Sequence, residues 1–137
     1  MLLLDTSVVS ALMRHDESAM RRLQNWRPGD IVLCACVAAE IRYGLERLEK
    51  GSRRRLRLEA EYGRLRDAVA WESWTEAAAL EYGRIKASME RSGTPLDDMD
   101  LIIASIAFAL GATVATRNPR HFTAIPDLAV ESWADPP

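Results

Sequence analysis

The sequence predicts an α/β fold in which helices cover a central parallel sheet, and two observations carry this expectation. Short apolar runs typical of buried strands alternate along the chain with longer stretches of helical periodicity. Strands separated by helices pair in parallel and are covered on both faces, which gives three layers. With right-handed crossovers, a strand order of 3-2-1-4-5 would place a ligand crevice between strands one and four.

The first half of the chain supplies two strands and most of the helices. Residues 1–4 are an apolar run that ends in Asp5, and Asp5 or Thr6 can cap a short helix over residues 7–13. Further along, the pattern predicts a helix over about 16–26, a turn at 28–30, a strand over 31–35, a helix over 36–50 and an arginine-rich helix to about 66.

The second half completes the sheet. Residues 69–71 form a short third strand, and Thr75 caps a helix that ends at residues 92–95. Residues 98–110 are apolar on nearly all sides, so this helix is expected to be buried, with Gly111 as its C-terminal signal. The fourth and fifth strands are predicted over 112–115 and 128–130.

Length and composition indicate one domain spanning residues 1–137, with 48% apolar residues. No apolar run approaches the ~18 residues that cross a bilayer, and the leucine run at the start lacks a basic segment before it. We therefore expect a soluble cytoplasmic protein with no membrane association. Cys34 and Cys36 are spaced poorly for a disulfide or a zinc site and are expected to act as small buried hydrophobic residues.

Charge is distributed unevenly, although the net charge is only -2. Residues 51–66 contain six arginines and two glutamates, whereas residues 90–100 contain four acids and one arginine. This separation suits a protein that both meets a polyanion and holds a cation. For the arginine run alone, an ordinary solvated helix face explains the sequence equally well.

Three acids stand where the local pattern does not require charge. Asp5 ends a core strand, Glu40 lies beside the apolar stripe of its helix, and Asp100 lies in the first turn of the most buried helix. The predicted topology brings all three to one edge of the sheet. Taken singly, Asp5 could be only a helix cap and Glu40 only a solvated charge, and Asp97 and Asp98 are interpreted as capping residues.

Carboxylates brought within ~6 Å of one another repel unless they are protonated or share a cation. Oxygen ligands without a neighbouring His or Cys favour Mg²⁺, with Mn²⁺ as a possibility. Such an ion makes a water more acidic and offsets charge on a phosphate, which suits hydrolysis of a phosphodiester. The joint placement of Asp5, Glu40 and Asp100 therefore predicts a cation site with hydrolytic chemistry.

Four segments in order resemble the PIN-domain ribonucleases, and more narrowly the VapC-type toxins of bacterial toxin–antitoxin pairs. They are residues 2–8 (LLLDTSV), residues 39–44 (AEIRYG), residues 100–105 (DLIIAS) and residues 115–118 (ATRN) with Phe122. The resemblance covers nearly the whole chain. It implies a Mg²⁺- or Mn²⁺-dependent endoribonuclease that forms a homodimer and is silenced by a VapB-like antitoxin docked across the site.

The resemblance also assigns residues. Asp5, Glu40 and Asp100 match the family's acidic metal-binding residues, and Thr6 and Thr116 match hydroxyl residues that support them. Many members carry a fourth acid where this chain has Asn118, so the resemblance implies one tightly bound ion, with Asn118 as a support. His121 falls where relatives often have an acid and is interpreted as a surface hydrogen-bonding residue outside the catalytic set.

An RNA substrate requires cationic side chains around the acids. Arg117 at the end of strand four is the first candidate for a phosphate contact, and Arg42 is the second. Residues 53–57 could meet either RNA or the antitoxin.

Two other classes compete: a phosphohydrolase with Asp5 as nucleophile, which Ser7 argues against because a second Asp is needed there, and a catalytically weakened PIN-like module that binds RNA or protein. A response-regulator receiver is a weaker third, since strand one lacks a paired acid.

Overall fold

A five-stranded, all-parallel sheet organises the chain, and its strand order of 3-2-1-4-5 confirms the prediction. The computed structural model describes residues 1–135. The strands are β1 (Leu2–Leu4), β2 (Ile31–Cys34), β3 (Ala70–Glu72), β4 (Thr113–Thr116) and β5 (Val130–Ser132). The helices are α1 (Thr6–Met13), α2 (Glu17–Leu23), α3 (Ala35–Glu46), α4 (Arg53–Ala68), α5 (Glu76–Arg91) and α6 (Asp98–Leu110).

The strand β1 lies at the centre of the sheet, between β2 and β4. Leu2, Leu3 and Leu4 are completely buried, and each contributes about 2 kcal/mol of hydrophobic stabilisation. The register pairs Leu3 with Val32 on one side and with Val114 on the other. This central position fixes the residue that follows β1 with respect to both neighbouring strands.

The helix α6 occupies the residues predicted for it, and most of its side chains are buried. Gly111 ends it in the left-handed conformation, at φ 66°, which glycine adopts without a steric penalty. The chain then enters β4 beside β1. Despite the apolar character of α6, no helix within residues 1–135 has both the length and the apolarity to cross a membrane.

Several element ends differ from the sequence prediction. The helix α2 stops at Leu23 rather than near residue 26, because the chain tightens into a turn in which the N–H groups of Asn25 and Trp26 donate to the carbonyls three residues before them. The helix α3 ends at Glu46 rather than residue 50. The strand β5 begins at Val130, two residues later than predicted, since its pairing with β4 starts there.

Candidate active site

A cavity of about 410 Å³ opens where β1 and β4 end, and the three predicted acids line it together. We call it the acidic cavity. Its described lining consists of Asp5, Thr6, Ser7, Ser10, Glu40, Asp97, Asp100, Ile103, Asn118 and His121. The carboxyl ends of two adjacent parallel strands are the expected place for a ligand site in this kind of sheet.

The carboxylate of Asp5 is held by three hydrogen bonds and is only 6% exposed. One oxygen, Oδ1, accepts hydrogen bonds from Ser7 Oγ at 2.6 Å and from the backbone N–H of Val8 at 3.0 Å. The other, Oδ2, accepts a hydrogen bond from Thr116 Oγ1 at 2.5 Å. Asp5 is therefore both the cap of α1 and a fixed carboxylate of the cavity, so the two interpretations are compatible.

The hydroxyls of Ser7 and Thr116 are themselves oriented by the backbone that follows β4. Ser7 Oγ accepts a hydrogen bond from the N–H of Arg117, and Thr116 Oγ1 accepts one from the N–H of Asn118, each at 2.9 Å. With their acceptor sides occupied, both hydroxyls direct their hydrogens toward Asp5. The end of β4 thus sets the orientation of a carboxylate at the end of β1.

Ser7 orients the carboxylate of Asp5, a role that was not predicted for it from the sequence. In the sequence analysis, Ser7 served only to exclude a phosphatase. A hydroxyl residue two positions after an acid, in the first turn of a helix, was the available signal. It was ambiguous because Ser is common in first helical turns for reasons of capping alone.

Glu40 reaches the cavity from α3, on the side opposite Thr116. Its Oε1 accepts a hydrogen bond from Thr6 Oγ1 at 2.7 Å, so the first residue of α1 holds an acid on a different helix. The side chain is half-buried. Glu40 is therefore not a freely solvated charge, and Thr6 supports Glu40 where Thr116 supports Asp5.

Asp100 completes the set from the first turn of α6. The pKa of its carboxyl is raised to about 6, mainly because burial disfavours the charged form; the charge of His121 opposes this shift, and the nearby charges of Asp97, Asp5 and Glu40 add to it. The acids of the cavity therefore act on one another electrostatically. The repulsion expected between grouped carboxylates adds to the larger effect of burial on the pKa of Asp100.

His121 also belongs to the cavity, although the sequence argument left it outside the catalytic set. A short 3-10 turn over Pro119–His121 folds the chain back after β4, and His121 Nδ1 lies 3.2 Å from Asp100 Oδ2. Asn118, at the start of that turn, lines the same cavity. Nothing in the local sequence pattern indicates the direction of this turn. The only sequence signal that placed His121 near the site was its position shortly after strand four.

The two arginines proposed as RNA contacts do not line the acidic cavity. Arg117 forms ion pairs with Asp16 at 3.2 Å and with Asp135 at 2.8 Å, and its side chain is 21% exposed. Arg42 lies over the ring of Tyr62 on α4, with its guanidinium carbon 5.0 Å from the ring centroid. Residues two apart on a helix face different directions, which explains why Arg42 does not accompany Glu40.

The remaining acids near α6 have different partners. Asp97 caps the helix by accepting a hydrogen bond from the N–H of Met99 at 2.9 Å, and it also lines the cavity. Asp98 instead pairs with Lys86 at 3.2 Å and accepts a hydrogen bond from Tyr82 at 3.0 Å, and these contacts lower its pKa. Asp98 therefore belongs to the packing of α5 against α6.

The donor chemistry of the cavity fits a hydrated divalent cation. Within residues 1–135, no three His, Cys, Asp or Glu side chains form a preassembled ion site. However, Mg²⁺ keeps several waters and needs only one or two direct carboxylates. Asp5, Glu40 and Asp100 could hold such an ion partly through water.

Comparison with known proteins identifies relatives across nearly the full chain. The family model described as PIN domain matches residues 2–128. Ribonuclease VapC2 of Rickettsia felis is 29% identical over 133 residues, covering 96% of each chain. The tRNA(fMet)-specific endonuclease VapC of Shigella flexneri is 26% identical over 132 residues, covering 96% of this chain and 97% of its own.

A solved structure shows the same architecture. The crystal structure of VapBC2 from Rickettsia felis bound to a promoter DNA fragment contains a chain that superimposes with a TM-score of 0.86. The two sequences are 25% identical, and the match covers 96% of this chain and 98% of the other.

Proposed function

The chain belongs to the PIN domain family, and from this premise we propose that it is a metal-dependent endoribonuclease acting as the toxin of a type II toxin–antitoxin pair. Its full-length relatives bear the names of ribonucleases and endonucleases. The observation that carries the proposal is the fixed carboxylate of Asp5 facing Glu40 and Asp100 across one cavity. We infer Mg²⁺ as the ion, with Mn²⁺ as an alternative, from the oxygen-rich donor set.

The chain's own residues provide position and charge for this reaction. Ser7 and Thr116 hold both oxygens of Asp5, and Thr6 holds Glu40, so two carboxylates are oriented before an ion or a substrate arrives. Asp100 contributes the third negative charge from α6. When bound, a divalent cation supplies a more acidic water and offsets the charge of the phosphate.

Asn118 supports a second candidate, a catalytically weakened module that binds RNA without cutting it. Its amide lies at the cavity where an additional carboxylate would strengthen cation binding. We favour the enzyme because Asp5, Glu40 and Asp100 together provide enough negative charge for one ion.

We propose a VapB-like antitoxin as the protein partner, in the cytoplasm where both would meet RNA. Support comes from the solved VapBC2 complex of Rickettsia felis. The proposed homodimer is supported by apolar side chains left exposed near the start of α5, among them Trp74 and Leu80, which is 72% exposed. Light scattering on the purified chain measures the dimer directly.

The central test is RNA cleavage by purified protein freed of its partner. We expect cleavage with Mg²⁺ or Mn²⁺ and none with EDTA, and sequencing of the new RNA ends would identify the target. Cleavage that persists in EDTA after dialysis would contradict the metal-dependent mechanism. RNA binding without any cleavage under all metal conditions would favour the weakened module.

A further inference from the structure

The arginines of α4 fall into two groups according to their partners. Arg55 pairs with Glu46 and Glu59, each at 2.9 Å, and its side chain is only 14% exposed. The other paired arginines of this helix are Arg64, with Glu61, and Arg66, with Asp67. By contrast, Arg53, Arg54 and Arg57 form no ion pair among the residues that the structure describes, and all three are exposed.

Two of these unpaired arginines meet a third from another helix. Arg54 and Arg57 line a cavity of about 300 Å³ together with Arg14, which follows α1. Arg14 likewise has no ion-pair partner within residues 1–135. Met13, His15 and Leu58 complete the lining. Three arginine side chains therefore line one concavity, and none of them forms an ion pair with a carboxylate in the part of the chain that the structure describes.

This concavity is continuous with the acidic cavity. A smaller cavity of about 180 Å³ lies between them and shares residues with each. It has Thr6, Ser10 and Glu40 in common with the acidic cavity, and Arg14, Arg54 and Leu58 in common with the arginine-lined one. We call the connecting cavity and the arginine-lined cavity together the arginine groove. The groove begins at the proposed cleavage site and leads away from it.

We propose that the arginine groove binds the phosphates of the RNA strand on one side of the cleaved bond. This inference rests on the proposed ribonuclease function. Unpaired arginines in a groove attract a polyanion, and phosphates along a single strand would then meet Arg14, Arg54 and Arg57 in succession. The acidic cavity alone repels RNA, so cations close to it are required for binding at the site.

The neighbouring surface suits a protein partner better than the arginine groove does. Another cavity of about 300 Å³ is lined mainly by apolar side chains, among them Leu23, Trp26, Ile31 and Leu65. Protein interfaces bury apolar and aromatic side chains at their centres, whereas phosphate recognition depends on arginine and lysine. The arginine groove carries the arginines that phosphate recognition requires, and we therefore assign it to RNA.

The test measures RNA binding in an Asp5→Asn background, so that cleavage does not interfere. The probe is a fluorescein-labelled, unstructured oligoribonucleotide of about 12 nucleotides, followed by fluorescence anisotropy at several salt concentrations. Adding Arg54→Gln and Arg57→Gln should raise Kd by about 10- to 100-fold at low salt. The slope of log K against log salt should fall by about 1.4, at ~0.7 for each lost single-strand phosphate contact.

A matched control carries Arg27→Gln and Arg91→Gln, which remove the same charge from exposed residues outside the groove. The inference predicts a change in Kd of less than about twofold for this control. Equal losses in the two double variants, or an unchanged Kd for Arg54→Gln/Arg57→Gln, would overturn it. Circular dichroism melting confirms that both double variants fold.

The outcomes also separate this inference from the proposed function. If the wild-type chain cuts no RNA with any metal but the groove variant still loses RNA affinity, the nuclease proposal fails and the groove assignment stands. If the wild type cuts RNA and the groove variant keeps its affinity, the groove assignment fails alone. If RNA affinity is unchanged but a co-expressed VapB-like antitoxin no longer co-purifies with the groove variant, these arginines belong to a protein interface and the groove assignment is overturned.

Discussion

The acidic cavity and the arginine groove adjoin one another but hold their charges in opposite ways. In the cavity, Asp5 and Glu40 are fixed by hydrogen bonds from hydroxyl groups. In the groove, Arg14, Arg54 and Arg57 are exposed side chains that form no ion pair within residues 1–135. Coordination of a small cation requires defined ligand positions, whereas attraction of a flexible polyanion does not. Carboxylates fixed by hydrogen bonds therefore suit the proposed cation site, and exposed arginines suit the proposed binding of RNA.

The largest effect is expected for Asp5→Asn, which removes the charge of a carboxylate that hydrogen bonds hold in the acidic cavity. Cation catalysis is worth several kcal/mol, so RNA cleavage should fall at least about a thousandfold. Asn caps a helix about as well as Asp, and the melting temperature should therefore stay within a few degrees. Single-turnover cleavage assays and circular dichroism measure both. Retained cleavage would remove Asp5 from the mechanism.

Thr116→Val tests whether fixing the carboxylate matters in addition to its charge. The variant keeps the shape of the buried side chain but leaves Asp5 Oδ2 without its hydroxyl donor. Loss of such a supporting group lowers metal affinity or activity by about 10- to 100-fold. Titration with Mn²⁺ followed by electron paramagnetic resonance reports affinity independently of cleavage, and Thr116→Ser should restore it. Unchanged affinity in Thr116→Val would show that the hydroxyl has only a packing role.

Asp100→Asn tests the cost of keeping a carboxylate partly buried beside other acids. Because the folded pKa of about 6 lies above the ordinary value of 3.8, the native state keeps a proton that the unfolded state has lost between these pH values. Stability of the metal-free protein should therefore fall as pH rises from about 4 to 6, and Asp100→Asn should reduce this slope.

The expected gain for Asp100→Asn in EDTA near pH 7 is about 1 to 2 kcal/mol, reduced from the full pKa shift by partial solvent exposure. Urea unfolding at pH 4 and pH 7 measures it, with little difference expected at the lower pH. A variant less stable than the wild type at pH 7 would show that the cavity acids do not strain the metal-free fold.

The smallest effect is expected for Arg117→Gln, since the guanidinium of Arg117 already forms ion pairs within the protein. Loss of its ion pairs with Asp16 and Asp135 should cost about 1 kcal/mol of stability. If these pairs persist in the RNA complex, Kd for RNA changes less than about twofold. A tenfold rise in Kd would instead show that Arg117 leaves its acids to bind phosphate, as the sequence argument predicts.

The placement of two acids at one cavity could be predicted because each of them contradicts a clear local pattern. Asp5 ends an apolar strand and Asp100 opens an apolar helix, and the strand order followed from alternating strands and helices. No local pattern indicates that Arg117 pairs with Asp16 and Asp135, which are 101 and 18 positions away from it. His121 was missed because a three-residue turn, rather than a periodic element, directs it back to the cavity.

The hydrogen bond between Asp5 and Thr116 joins residues 111 positions apart, and this separation has a consequence during translation. At synthesis rates of ~5 to 20 residues per second, roughly 6 to 22 seconds separate the synthesis of the two residues. Until then β1 lacks β4 as its neighbour, and Asp5 lacks the hydroxyl that fixes it. A nascent chain therefore lacks the complete acidic cavity, and the proposed cleavage site forms only when synthesis is nearly finished.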